Sequence, residues 1–189
     1  MLNYHSSIKE EKTYSGLIVK EVVPVMKLNL RGKNREFLST IGKNINMILP
    51  IEANTSSSSD NYTFMWLSPD EWMVISNNTV DKENNNYQIE KLLFSKISKT
   101  NLGAVTDVSD QFVMINLKGE KIFDLLSTGC PFNFNEFKKK NGAVTQTLLL
   151  QIDVIIHLKE INTVNLFVRR SFSEHLMSWI DDTASRLLP

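Results

Sequence analysis

The sequence predicts an α+β protein made of two ferredoxin-like split βαβ units packed together. Two observations carry this. Between the polar connections, the apolar pattern runs strand, helix, strand, strand, helix, strand. The pattern then begins again, with "LNLRGKNREFLSTIG" (Leu28 to Gly42) matching "INLKGEKIFDLLSTG" (Ile115 to Gly129). In both, an alternating strand leads through a basic residue and a glycine into a helix ending in Ser/Thr and a second glycine. Shared spacing and shared residue types mark a duplicated unit.

The elements follow in order. The residues to Ser15 are polar and read as a mobile tail. "VMKLNLRG" alternates and ends in Gly32, which suits a strand. "KNREFLSTIGKNI" places Phe37, Leu38, Ile41 and Ile45 at helical spacing. "NTSSSSDN" (Asn54 to Asn61) is a low-complexity loop. "YTFMWL" and "EWMVIS" are strands joined by "SPD" (Ser68 to Asp70), where proline presets a turn dihedral. The polar "NNTVDKENNN" (Asn77 to Asn86) leads into an amphipathic helix carrying Ile89, Leu92, Leu93 and Ile97, and then into the strand "GAVTDVSD". The second unit continues with strands at "GAVTQTLLLQ", "DVIIHL" and "VNLFVRR". Its last helix sets Phe172, Leu176, Trp179, Ile180 and Leu187 toward one side. The expected division is a tail over 1–15, a first unit over 16–106 and a second over 107–189.

Composition narrows the function classes. The chain has 189 residues, 42% of them hydrophobic, enough to bury a core. Its 21 basic and 21 acidic residues cancel, so the basic excess of a phosphate-binding protein is missing and nucleic acid is not the expected partner. No basic-then-apolar leader opens the sequence, and no apolar run approaches the ~20 residues that span a bilayer. One cysteine makes neither an internal disulfide nor a Cys-rich metal site. The cytoplasm is the expected compartment, and no membrane contact is expected.

Candidate chemistry is sparse. Cys130, in "STGCPFNF", follows a predicted helix C-terminus, where the dipole disfavours a thiolate. Gly129 suits a left-handed helix stop and Pro131 blocks continuation, so Cys130 reads as a small packed residue rather than a nucleophile. His5 falls in the tail, His157 in an apolar strand and His175 in the last helix, with no metal-ligand spacing among them. Asp107 and Asp110 in "DVSDQ" could do acid–base work, but such residues more often bind nearby backbone amides. "FKKKNG" (Phe137 to Gly142) reads as a solvated loop, with contact to an acidic partner surface as the other reading. No glycine-rich phosphate cradle is present. Catalytic, cofactor-binding and metal-binding residues are therefore expected to be none. Interface candidates are aromatic: Trp66 and Trp72 across the "SPD" turn, and Phe132, Phe134 and Phe137 alternating with polar residues. The phenylalanines read equally as a plug between the two units.

Three ordered segments carry a resemblance: "WLSPDEWMVI" (Trp66 to Ile75), "VTDVSDQFVMINLKGEKIFDLLSTGCPFNF" (Val105 to Phe134) and "AVTQTLLLQIDVIIHL" (Ala143 to Leu158). Together with the closing "FVRRSF" (Phe167 to Phe172) they resemble the gamma subunits of heterotetrameric sarcosine oxidase. Ser68 stands where that family commonly has glycine, and "FNF" where it often has an Asp after an aliphatic residue. The family is distantly similar to the folate-binding aminomethyltransferase fold, whose first domains would supply the two α+β units.

The resemblance implies an accessory, non-catalytic chain that serves assembly. Its partners would be alpha, beta and delta subunits, chiefly alpha. FAD, FMN, NAD, zinc and tetrahydrofolate would all sit on those other subunits. The complex would oxidise sarcosine to glycine, releasing formaldehyde or 5,10-methylenetetrahydrofolate together with hydrogen peroxide. Two other readings stay open: the equivalent subunit of an N-methylglutamate dehydrogenase type of enzyme, and a free-standing folate-binding one-carbon-transfer protein.

Overall fold

A computed structural model describes residue 6 and residues 11–79 and 87–187. The chain divides into two units. The first spans residues 23–110; the second runs from Gln111 onward and takes in the segment before Val23.

The first unit contains β3 (Val25–Arg31), α1 (Arg35–Ile45), β4 (Ser56–Ser58), β5 (Tyr62–Ser68), β6 (Glu71–Thr79), α2 (Tyr87–Leu93) and β7 (Ala104–Asp107). Its antiparallel sheet runs β4-β5-β6-β3-β7. Without the short edge strand β4 this is the ferredoxin-like order, each βαβ being split by an intervening strand. Alternation sends Met26, Leu28 and Leu30, with Trp72 and Val74, into one core beside Phe37, Ile41, Leu93 and Ile97. The Asn34 side chain accepts the Phe37 N–H at 2.7 Å and starts α1. Asn46, left-handed at φ 56°, ends it. Gly42 therefore lies inside the helix rather than at its stop. After α2 the chain makes one π-helical turn, Phe94–Ser98.

The second unit has the strands β1 (Lys12–Tyr14), β2 (Leu17–Glu21), β8 (Phe112–Lys118), β9 (Val144–Leu149), β10 (Ile152–Glu160) and β11 (Thr163–Arg169). Its helices are α3 (Ile122–Leu126), α4 (Phe134–Phe137) and α5 (Ser173–Leu187). The sheet order is β1-β2-β8-β11-β10-β9. Strand for strand, β9-β10-β11-β8-β2 repeats β4-β5-β6-β3-β7 of the first unit, which confirms the duplication at the level of topology. Its last position, however, is filled from the N-terminus. β2 immediately precedes β3 yet pairs with β8, and β7 immediately precedes β8 yet pairs with β3.

This exchange corrects the expected boundaries. The division falls at Val23 and Gln111, not at 16 and 107. The expected tail contributes β1, which the second sheet orders at its edge: Lys12 Nζ reaches Asp181 Oδ2 at 2.5 Å and the Tyr14 hydroxyl donates to Asp181 Oδ1 at 2.6 Å. The Lys12 ammonium, then the Tyr14 hydroxyl, hold the Asp181 carboxyl below its ordinary range, while burial and that same carboxylate push Tyr14 upward. Residues 1–5 and 7–10 of the expected tail, and 80–86 of the second polar connection, lie outside the described residues.

Two further expectations change. Gly129 is not left-handed, for the positive-φ glycines among the described residues are Gly16, Gly119 and Gly142. Space explains it instead: a Cβ there would come within 2.8 Å of the Trp179 ring. The inward stripe of α5 is Leu176, Met177, Ile180 and Ala184, whereas Phe172 and Leu187 are exposed.

The β9–β10 hairpin turns through Leu150 and Gln151, both left-handed at φ 54° and 64°. Such a two-residue turn favours Asn-Gly, and a side chain there costs about 1–2 kcal/mol per residue. The Leu150 N–H donates to the Gly129 carbonyl and its side chain lies beside that glycine, whereas Gln151 is exposed. Gln151→Gly is expected to stabilise the chain by about 0.5–1 kcal/mol after the glycine entropy cost. A higher urea midpoint at unchanged slope checks this; a lower midpoint would contradict it.

Candidate functional site

The aromatic interface candidates are distributed between the two cores. Trp72 is buried in the first unit, donates its indole N–H to the Pro50 carbonyl at 2.8 Å and packs on Phe37 with ring centroids 5.9 Å apart. Trp66 is its cross-strand partner, half-buried against the same core. Phe134 and Phe137 are buried in the second unit's core, and half-buried Phe132 packs against it. Their rings form a cluster with Phe123 at centroid distances of 5.1–6.2 Å. Trp72, Phe134 and Phe137 are therefore core residues of their own units rather than exposed anchors, while Trp66 and Phe132 stay half-buried at the edges of those cores.

The other candidates are also placed. Cys130 is buried in the second core, its Sγ 3.6 Å from Thr147 Oγ1. Asp107 Oδ1 accepts the Ser109 N–H at 2.8 Å, closing a turn. Ser109 in turn receives the Lys27 N–H on its hydroxyl and the Lys27 ammonium on its carbonyl. His157 is buried on β10, and burial, helped by the Lys159 charge, lowers its pKa to about 4. His175 is exposed on α5, and His5 lies outside the described residues. Lys138, Lys139 and Lys140 are exposed, with Lys139 paired to Glu136 at 2.7 Å. No group of three or more His, Cys, Asp or Glu among the described residues could hold a metal ion, and no described helix is long and apolar enough to cross a membrane.

Two concavities stand out among the described residues. One lies on the second sheet, where a cross-strand row brings Leu148, Asp153, Arg169 and Phe112 side by side. The larger, about 610 Å³, lies in the first unit along the outer ridge of α1. Arg35, Leu38, Ser39, Gly42, Lys43 and Asn46 line it at helical spacing, and the segment from Met47 to Ile51 forms the opposite side. Leu49 is buried in its floor, while Ile48 and Ile51 stand 86% and 79% exposed. Sequence reasoning missed this groove. Its signal was "MILPI" (Met47 to Ile51), an apolar run just past a helix end, with neither strand alternation nor helical spacing.

The sequence profile of the sarcosine oxidase gamma subunit family matches residues 32–186. The chain belongs to that family. The gamma-family assignment agrees with the resemblance read from "DVSDQ", "GCPFNF" and "FVRRSF", all of which fall inside the matched span. No curated protein matches the chain. Among solved structures, the heterotetrameric sarcosine oxidase from Corynebacterium sp. U-96, in complex with pyrrole 2-carboxylate, shares the fold at TM-score 0.81 and 20% identity, over 93% of this chain and 87% of that one. The glycine cleavage system aminomethyltransferase T from Bartonella henselae matches at TM-score 0.63 and 14% identity, over 89% of this chain but 46% of that one. The expected kinship with the aminomethyltransferase fold thus holds at the level of architecture, and this chain spans less than half of that enzyme.

Proposed function

We propose that this gamma-family chain is the accessory, assembly subunit of a heterotetrameric sarcosine oxidase and supplies no catalytic residue itself. The observation that carries the reading is the family match over residues 32–186. The placement of two candidate groups supports it: Cys130 is packed in a core, and Asp107 of "DVSD" closes a turn by accepting the Ser109 N–H. Flavins, NAD, zinc and tetrahydrofolate are assigned to the alpha, beta and delta subunits. The complex oxidises the N-methyl group of sarcosine: sarcosine, oxygen and water give glycine, formaldehyde and hydrogen peroxide, with tetrahydrofolate capturing the one-carbon unit as its methylene derivative. The cytoplasm is the proposed compartment.

The test is co-expression of the tagged chain with its cognate alpha, beta and delta subunits. A stoichiometric complex that oxidises sarcosine in preference to N-methylglutamate is expected, while the chain purified alone is colourless and inactive. Unchanged assembly and turnover when this chain is omitted would overturn the proposal, as would a flavin held by the isolated chain.

A further inference from the structure

We infer that the groove along α1 receives a short apolar segment of a partner subunit that carries at least one carboxylate. This rests on the subunit reading above and names the surface it uses. The groove floor, made by Leu38, Gly42 and Leu49, would suit a small ligand as well as a peptide. The rim decides between them. Ile48 and Ile51 project almost fully into water, and a molecule confined to the floor would leave them there. Only a covering macromolecular surface removes their apolar area from solvent.

The ridge also sets the length of the segment. From Arg35 to Asn46 the lining residues recur every three or four positions, so the groove follows one helix face for about 16 Å at 1.5 Å per residue. Gly42, with no side chain, leaves a depression midway along that ridge. Two to three turns of an amphipathic helix match this length, seating apolar side chains at i, i+3/i+4 and i+7.

Charge fixes the remaining chemistry. Arg35, at the first turn of α1, and Lys43, in its last, both line the groove, and no carboxylate does. Neither forms an ion pair among the described residues. A carboxylate on the incoming segment would meet either cation at a partly desolvated rim.

The experiment compares variants within the co-expressed complex. Ile48→Asp and Ile51→Asp change exposed residues, so the chain's own thermal unfolding should stay at the wild-type temperature. Lys43→Glu tests the charge, with Lys43→Arg as its conservative control. Ile48→Asp and Lys43→Glu are each expected to cut co-purification of the partner subunits at least tenfold, Lys43→Arg to retain it, and added salt to weaken wild-type assembly. Normal assembly of both Ile48→Asp and Lys43→Glu would overturn this inference alone. A wild-type chain that forms a homodimer lost in Ile48→Asp would overturn it in favour of a second copy as occupant. Failure of the wild-type chain to assemble at all would overturn the subunit reading, and this proposal with it.

Discussion

Phe134→Ala should destabilise the chain by about 3–5 kcal/mol, the usual cost of deleting a buried phenylalanine ring. Phe134 is 5% exposed and its ring centroid lies 5.1 Å from that of Phe132, 5.3 Å from Phe123 and 5.9 Å from Phe137. Edge-to-face and tilted contacts of this kind add to the area term. The site cannot easily collapse around the deletion. Asn133 caps the short helix α4 through the Asn135 N–H, and the Lys138 N–H returns to the Phe134 carbonyl, so the backbone is fixed on both sides. Phe132→Ala, at the half-buried edge of the same cluster, should cost markedly less. Guanidinium unfolding of the full chain reads both. If Phe134→Ala keeps the wild-type midpoint but fails to join its partner subunits, the ring belongs to an interface and the placement in the core is wrong.

The burial of Trp72, Phe134 and Phe137 shows where the sequence stopped being legible. Trp72 was singled out for its residue type, but period is the stronger guide: it shares a strand face with Val74, and on β3 that face carries Leu28 and Leu30, all in one core. The elements read from the sequence were those with a period of their own, as α1 has in Phe37 and Ile41, whereas the short β1, β2, β4 and α4 went unread. The strand exchange was not readable in that way. Leu17 and Val19 announce that β2 buries one face, but nothing local says that its ladder partner is β8, about a hundred residues away, rather than the adjoining β3. A clue existed just upstream of the repeat: allowing a one-residue gap, Val19, Glu21 and Val22 before β3 correspond to Val105, Asp107 and Val108 before β8. Equivalent strands take equivalent places, so β7 beside β3 implied β2 beside β8. The paired glycines show the opposite case, since equal spacing conceals different causes. A side chain at Gly32 would strike the Phe37 ring; one at Gly119, at φ 139°, would lie 2.1 Å from the Gly16 carbonyl oxygen.

Stability should fall by about 3 kcal/mol between pH 7 and pH 4 through His157 alone. The imidazole is 2% exposed on β10, opposite Asn165 of β11, whose side-chain oxygen accepts from Asn116 of β8 at 2.8 Å. Burial, with the Lys159 charge adding to it, brings the pKa from 6.5 down to about 4. The folded chain therefore holds His157 neutral while the unfolded chain takes up a proton below about pH 6.5. Above that pH neither state is protonated and the histidine contributes no pH dependence. As pH falls the unfolded state binds more protons, so folding weakens by about 2 kcal/mol at pH 5 and about 3 at pH 4, levelling off once the folded state also titrates. Carboxylates titrate in the same window, so the measurement is a difference. Urea unfolding of the wild type and of His157→Gln is followed from pH 7 to pH 4. Glutamine keeps a polar side chain opposite Asn165 but cannot gain the charge. The variant should therefore lose less stability than the wild type over this range, with most of the gap opening between pH 6 and 4.5. Parallel curves for the two proteins would mean that His157 binds its proton as readily folded as unfolded, and that its burial does not set the acid limit of the fold.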